Sequence, residues 1–389
     1  MIALVFHTDS GGHMSTVGKA GLEDVVVSTS EICFIDGREG KLLYRGYDVD
    51  DLVAGKSTFE ETCFLLWHGH LPSKKELADM NKALAQSRKI SPKVVSILKL
   101  LPKKTTPMEA LRTGVSALSS FDPDAADNTR EASVRKAIRL TAQMPTLVAA
   151  WERIRKGKPV VAPNPKLSLA ANFLYMMTGK KPTELAARTF DIALILHADH
   201  EFNASTFAAR VTAATLSDMH SSVVSGIGAL KGPLHGGANE QVMLMVDKIK
   251  SPGDAESFVR RNLEDRGFRI MGFGHRVYRV EDPRAKHLRR LAFELGQQAG
   301  DTSKAEMINT IARVVTEVKK IFPNVDLFSG AAYRSMGIAT DQFTPIFAMS
   351  RVSGWAAHVL EQHANNRLIR PRSEYTGSTR ATYVPLDQR

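Results

Sequence analysis

Thiols are scarce in this chain: Cys33 and Cys63 are the only two cysteines in 389 residues. Both sit in apolar surroundings, "EICFID" and "ETCFLLW", and neither belongs to a CxxC pair. That excludes a disulfide scaffold and a cysteine-based zinc site, and it points to two buried thiols in a reducing compartment. Long apolar runs are missing too, since no stretch approaches the roughly 20 residues of a membrane span. The start, "MIALVFHTDSGGHMST", has an apolar run too short for a signal peptide and no basic residue ahead of it, so the expected location is cytoplasmic. Met14 is a second candidate start, and residues 1–13 read as a candidate non-native or disordered extension. Basic runs interleaved with aromatics are also absent. The formal charge of +11 invites a nucleic-acid-binding reading, but lysines and arginines are scattered among acids, as in "KKELADMNKAL". Such a distribution fits a solvated basic surface, or a surface that steers small anions to a site.

What is present is mostly helical. Residues 25–45 alternate polar and apolar around "DGREG", which predicts a short β-hairpin or two. Helical periodicity dominates from there on. "TFEETCFLLWHGHLP" opens with Thr58 as a predicted N-cap. "SKKELADMNKALAQSR", "SPKVVSILKLL" and "TPMEALRTGVSALSSF" follow as amphipathic helices. "KPTELAARTFDIALILHADH" and "NASTFAARVTAATLSDMHSSVVSGIGAL" are apolar nearly all round and predict helices buried against other helices. Three more amphipathic segments start near Asp254, Asp282 and Ser303, and "TPIFAMSRVSGWAAHVLEQHANN" is a further buried helix. The last twenty residues, "RPRSEYTGSTRATYVPLDQR", look extended. There is no repeat, low-complexity stretch or flexible linker. The chain is long enough for two domains, since single cores stop growing at roughly 250–300 residues, and these two are expected to be closely joined.

Five places carry residues suited to chemistry. "LHADHEFNAST" holds His197 and His200 at a spacing that predicts a shared helix face. With no HExxH and no cysteine partner, they read as hydrogen-bonded core histidines rather than metal ligands. "KGPLHGGANE" sets His235 between a Gly-Pro turn and a helix predicted to start near Asn239. A helix N-terminus favours a neutral imidazole; a plain surface loop would look the same in sequence. "MGFGHRVYRVEDPR" places His275 after "GFG" and before Arg276, Arg279 and Arg284. The third glycine of a dinucleotide fingerprint is missing, so the arginines suggest capture of carboxylate or phosphate. "FPNVDLFSGAAY" presents Asp326 at a predicted helix start, where a simple N-cap is the competing reading. Arg351, in an otherwise apolar helix, needs a partner, and Arg370 and Arg372 lie in the tail.

These motifs, in this order and register, resemble those of the citrate synthase family from about Ser28 to the C-terminus. The chain is similar to the shorter dimeric bacterial and archaeal type, which includes 2-methylcitrate synthases. The resemblance implies a mainly α fold whose large domain (residues 14–231 and 338–389) and small domain (residues 232–337) close over the active site. It implies condensation of acetyl-CoA with oxaloacetate, or of propionyl-CoA in a 2-methylcitrate synthase, with no metal or prosthetic group. Asp326 would be the base, His235 the donor to the thioester oxygen, and His275 the group that polarises the oxaloacetate carbonyl. His200, Arg284, Arg351 and, from the partner subunit of a homodimer, Arg370 would hold oxaloacetate. Arg269, Gly272, Phe273, Gly274 and Arg279 would bind CoA, with Lys319 and Lys320 at its phosphates. The chain lacks the longer N-terminal region of NADH-regulated relatives, so no NADH control is expected.

Overall fold

Why a helical chain begins with a hairpin is answered by Asp36. Its Oδ1 accepts the amides of Arg38 and Glu39, both at 2.9 Å, and so ties off the turn in "IDGREG". Around that turn β1 (Cys33–Asp36) pairs antiparallel with β2 (Lys41–Tyr44), and β2 pairs with a two-residue β3 (Tyr47–Asp48). The computed structural model describes residues 21, 22, 25–265 and 267–389. The reading of residues 1–13 as an extension, and of Met14 as a start, lies outside the described residues.

Sixteen α-helices follow among the described residues. The first ten are α1 (Val49–Ala54), α2 (Phe59–His68), α3 (Lys74–Ser87), α4 (Pro92–Leu100), α5 (Pro107–Ser119), α6 (Arg130–Arg155), α7 (Leu169–Thr178), α8 (Glu184–His197), α9 (Ala204–Ala213) and α10 (Met219–Leu230). Then come α11 (Ala238–Val246), α12 (Ala255–Glu264), α13 (Ala285–Ala299), α14 (Ser303–Lys319), α15 (Val325–Ser335) and α16 (Phe343–Ala364). The cap predicted for α2 holds. Thr58 caps α2 through the Glu61 amide at 3.2 Å, and Ser73 with Glu76 closes a capping box on α3.

Two local expectations change. "NASTFAARVTAATLSDMHSSVVSGIGAL" is two helices, not one: Leu216 takes a left-handed φ of 63°, and Asp218 caps α10 through the Ser221 amide at 3.0 Å. The apolar run continues across this break and hides it, while the Asp218 cap gives it away. His197 and His200 do not share a helix face either, because α8 ends at His197 and His200 lies in the turn beyond.

Residues Glu31–Leu368 form one compact unit. At its centre α16 is buried along almost its whole length and packs against α2, α6, α8, α9 and α10. Each fully buried Leu, Val or Phe there contributes roughly 1.5–3 kcal/mol. Trp67 from α2 donates its indole N–H to the Ser353 carbonyl at 2.9 Å, and Tyr44 from β2 donates its hydroxyl to the carbonyls of Ile195 and Asp199, both at 3.1 Å. The hairpin thereby holds the C-terminal end of α8, which α16 also grips where Arg351 Nε donates to the His197 carbonyl. The terminal segments are a separate unit. In it, residues 369–389 are irregular but for one 3₁₀ turn, Leu386–Gln388, and both Arg370 and Arg372 are exposed. No described helix is long and apolar enough to cross a membrane.

Candidate active site

The chain leaves α8 through a turn in which Glu201 takes a left-handed φ of 55°, and Asn203 then caps α9. His200 is buried in this turn with its Nε2 3.3 Å from the Tyr278 hydroxyl. Its ring stands 5.0 Å from that of His275, edge to face, and Tyr278 lies 4.7 Å from His275. Burial, then the charge of Arg284, hold His200 well below the usual imidazole range. His197 turns its Nδ1 back to the Ala193 carbonyl at 2.7 Å, and its Nε2 is buried with no hydrogen-bond partner among the described residues. No group of three or more His, Cys, Asp or Glu among the described residues is arranged to hold a metal ion.

His235 follows α10 by a tight turn, its own amide donating to the Gly232 carbonyl at 2.9 Å. Its Nε2 faces the main-chain N–H of Ser205 at 3.3 Å and the Ser205 hydroxyl at 2.8 Å. Ser205 is in the first turn of α9, so that N–H is one of the helix's unpaired donors. A main-chain N–H can only donate; Nε2 therefore accepts, and the ring proton sits on Nδ1. Burial, then the charge of Arg351, push the His235 pKa down to about 4. A helix N-terminus does act on this imidazole, as the sequence predicts, but the amide that touches it belongs to α9 and not to α11.

His275 has the opposite tautomer. Its Nδ1 accepts the amides of Val277 at 3.0 Å and Tyr278 at 3.2 Å, which leaves the proton on Nε2. Burial, then the Arg284 charge, lower its pKa to about 4. Just before it, the Gly272–Gly274 loop is zipped to residues 322–324: the Gly274 amide donates to Phe322, the Asn324 amide to Gly272, both at 2.9 Å. Gly272 has a φ of +84°, and a Cβ there would meet Leu327 Cβ and Val242 Cγ2 at 2.9 Å. Only glycine fits both demands.

That zipper sets up Asp326. Asn324, not Asp326, caps α15, accepting the Asp326 amide at 3.1 Å. Freed from capping, the Asp326 carboxylate is left with a buried Oδ1 that has no hydrogen-bond partner among the described residues. Burial raises its pKa to about 6, against the opposing charges of Arg284 and Arg351.

The two guanidiniums differ in how they are held. Arg284 is gripped by Asp282 through Nε at 2.9 Å and Nη2 at 2.7 Å, and Asp282 also accepts the Val325 amide at 3.2 Å. Arg351 donates Nε to the His197 carbonyl at 2.8 Å and stacks over Phe347, with no carboxylate at ion-pairing distance among the described residues. His200, His235, His275 and Asp326 each feel the charge of Arg284, Arg351 or both, which links these six residues into one electrostatic set. Arg279 is exposed, and its amide docks on the Gly37 carbonyl at 2.7 Å. Arg269, Lys319 and Lys320 are exposed, the two lysines closing α14 just before residues 322–324. Sequence reasoning missed Ser205, Tyr278 and Asp282. Asp282 stood beside Pro283 at a predicted helix start, a usable signal; Ser205 is thirty positions from the ring it touches and gave none.

An aspartate whose buried Oδ1 has no hydrogen-bond partner among the described residues, two neutral imidazoles of opposite tautomer and two buried guanidiniums are the elements an acid–base site for an anionic ligand needs, on an α-helical frame. The relatives place that class. A family model described as "Citrate synthase, C-terminal domain" matches residues 21–372. "Citrate synthase 2" of Bacillus subtilis (strain 168) is 50% identical over 370 residues, covering 95% of this chain and 98% of that one. "2-Methylcitrate synthase" of Mycobacterium tuberculosis (strain ATCC 25618 / H37Rv) is 43% identical over 359 residues, with 92% and 90% coverage. The structure of the Thermoplasma acidophilum citrate synthase in ternary complex with carboxymethyl coenzyme A and oxaloacetate superimposes with a TM-score of 0.89 at 34% identity, covering 94% of this chain and 98% of that one. The chain belongs to the citrate synthase family and is an enzyme of the acyltransferase type.

Proposed function

We propose that the protein condenses acetyl-CoA with oxaloacetate and water to give citrate and CoA. The observation that carries this reading is an Asp326 carboxylate whose buried Oδ1 has no hydrogen-bond partner among the described residues, together with a His235 whose proton is held on Nδ1, both under the charge of Arg351. The methyl group of a thioester is a very weak carbon acid, and a carboxylate alone cannot remove its proton at a useful rate. Asp326 takes that proton while His235 Nδ1–H donates to the thioester oxygen as negative charge develops there, a contribution of roughly 3–4 kcal/mol for one such donor. The enol carbon then attacks the oxaloacetate carbonyl, which His275 Nε2–H polarises and whose new alkoxide it protonates. Water cleaves the resulting citryl-CoA thioester to citrate and CoA.

His200, Arg284 and Arg351 hold the oxaloacetate carboxylates on this reading, and Arg370 of the partner subunit completes the set in a homodimer. Arg269, the Gly272–Gly274 loop with Phe273, and Arg279 take the CoA, with Lys319 and Lys320 near its phosphates. Residues 232–337 are proposed as the small domain that closes on the rest, excluding water from the enol and shielding the thioester. The CoA thioester is itself a substrate, and the residues named supply acid, base and charge, so the scheme needs no metal or prosthetic group. A cytoplasmic location fits these substrates. The enzymatic reading displaces a nucleic-acid-binding role, which rests on net charge alone.

The second reading, 2-methylcitrate synthesis from propionyl-CoA, is favoured by the mycobacterial relative. The two substrates differ by one methyl group, which an apolar pocket discriminates by only roughly 1–3 kcal/mol. Comparison of kcat/KM for acetyl-CoA and propionyl-CoA with oxaloacetate decides between them. Asp326→Ala and His235→Ala should each lose condensation by orders of magnitude while staying folded. Activity near the parent level in either one refutes the mechanism.

A further inference from the structure

Both sides of the proposed reaction centre hang on one short turn, residues 198–205. It carries His200 at one end and, at the other, Ser205, whose N–H and hydroxyl fix the tautomer of His235. Between them the backbone is strained, because Glu201 is not glycine yet takes φ 55°. A fixed contact must hold it.

Asp199 does so, and it is wholly buried. Its Oδ2 accepts the Glu201 amide at 3.2 Å, pinning the strained residue, and faces His358 Nε2 at 3.3 Å. Its main-chain carbonyl accepts the Tyr44 hydroxyl at 3.1 Å. His358, from the middle of α16, is also fully buried. Its Nδ1 faces Arg210 Nη1 at 3.1 Å, and a guanidinium can only donate, so the imidazole proton is forced onto Nε2, toward Asp199. Arg210 is anchored in turn by Glu361 Oε2 at 2.5 Å and Gln362 Oε1 at 3.2 Å. Its guanidinium lies over the ring of Phe202, a member of the same turn. α16 comes close enough for this only because residue 354 has no side chain: a Cβ there would sit 2.3 Å from Asp199 Oδ1 and 2.4 Å from the Ala198 carbonyl.

We infer that His358 is a positioning residue for the reaction: through Asp199 it sets the turn that registers His200 against oxaloacetate and Ser205 against His235. It touches neither substrate, and it acts on both. This rests on the proposed roles of His200 and His235. A group that merely stabilised the fold would change how much protein is folded, not the kinetics of each folded molecule. The misplacement expected here, a shift of about 1 Å in a reacting group, lowers rate by roughly 100-fold.

The test uses the full-length protein with acetyl-CoA and oxaloacetate, and reads kcat and both KM values per folded molecule. His358→Gln keeps a donor for Asp199 and an acceptor for Arg210, and should stay near the parent protein. His358→Leu keeps bulk but loses both, and should lower kcat and raise KM for oxaloacetate, with kcat/KM falling roughly 100-fold. If His358→Leu does not fold, His358→Phe, which keeps a ring and loses both the donor to Asp199 and the acceptor for Arg210, takes its place and should lower kcat/KM in the same direction. Folded His358→Leu, or His358→Phe in its stead, with unchanged kinetic constants overturns the inference. A glutamine variant as impaired as the leucine one overturns it too. Failure of the parent protein to release CoA would sink the proposed function instead, so the two failures are told apart by the parent arm alone.

Discussion

Asp326→Asn should make this protein more stable and leave it unable to condense. Asp326 pays for its reactivity in the folded state, since burial raises its carboxyl from the ordinary 3.8 to about 6 and its Oδ1 finds no hydrogen-bond donor among the described residues. A gap of about 2 in pKa corresponds to about 3 kcal/mol between the two protonation states. The sign follows from proton counting. Between about pH 4 and 6 the unfolded chain has already lost this proton while the folded chain still holds it, so stability falls as pH rises through that window. Asparagine matches the shape and never ionises, so it escapes the fall. The variant should therefore differ little from the parent near pH 4 and gain up to about 3 kcal/mol by pH 7, the gap widening across the window and flat above it. Denaturant unfolding at a series of pH values measures the gap, and CoA release measures the lost activity. A gap that does not change with pH, or a variant less stable than the parent at pH 7, would refute the claim that Asp326 is held ionised at the expense of the fold.

The same electrostatics set the activity profile. His235 and His275 stay neutral down to about 4, so the acid limb of kcat/KM should follow Asp326 near pH 6, activity falling as the carboxylate is protonated; an acid limb unchanged in an Asp326→Glu variant would assign it elsewhere. Gly272→Ala forces a left-handed alanine, roughly 1–2 kcal/mol, and a Cβ at 2.9 Å from Leu327 and Val242, roughly 1–3 kcal/mol more. Because Gly272 also receives the Asn324 amide, the variant should lose a few kcal/mol of stability and lower kcat together with affinity for acyl-CoA, readable by unfolding and by steady-state kinetics.

How far the site was legible in sequence depends on how local each cause is. The order of the motifs around His200, His235, His275, Asp326 and Arg351 was enough to identify the family, and the cap at Thr58 was readable because a cap and its amide lie within one turn. The break between α9 and α10 was concealed by an apolar run that satisfies helical periodicity on both sides of Leu216. The shared-face reading of His197 and His200 failed for a related reason: spacing alone does not say where a helix ends, and α8 stops at His197.

Sequence determined the residue types, the helix starts and the family. Tertiary structure decided what each group can do. Which nitrogen of His235 carries the proton depends on an amide of Ser205, and which nitrogen of His275 does depends on the amides of Val277 and Tyr278. Asp326 is a base candidate rather than a cap because Asn324 caps α15, and its raised pKa comes from enclosure by elements distant in the chain. Protonation state follows from burial and from the direction of neighbouring dipoles, and both are properties of packed elements, not of any short stretch of sequence.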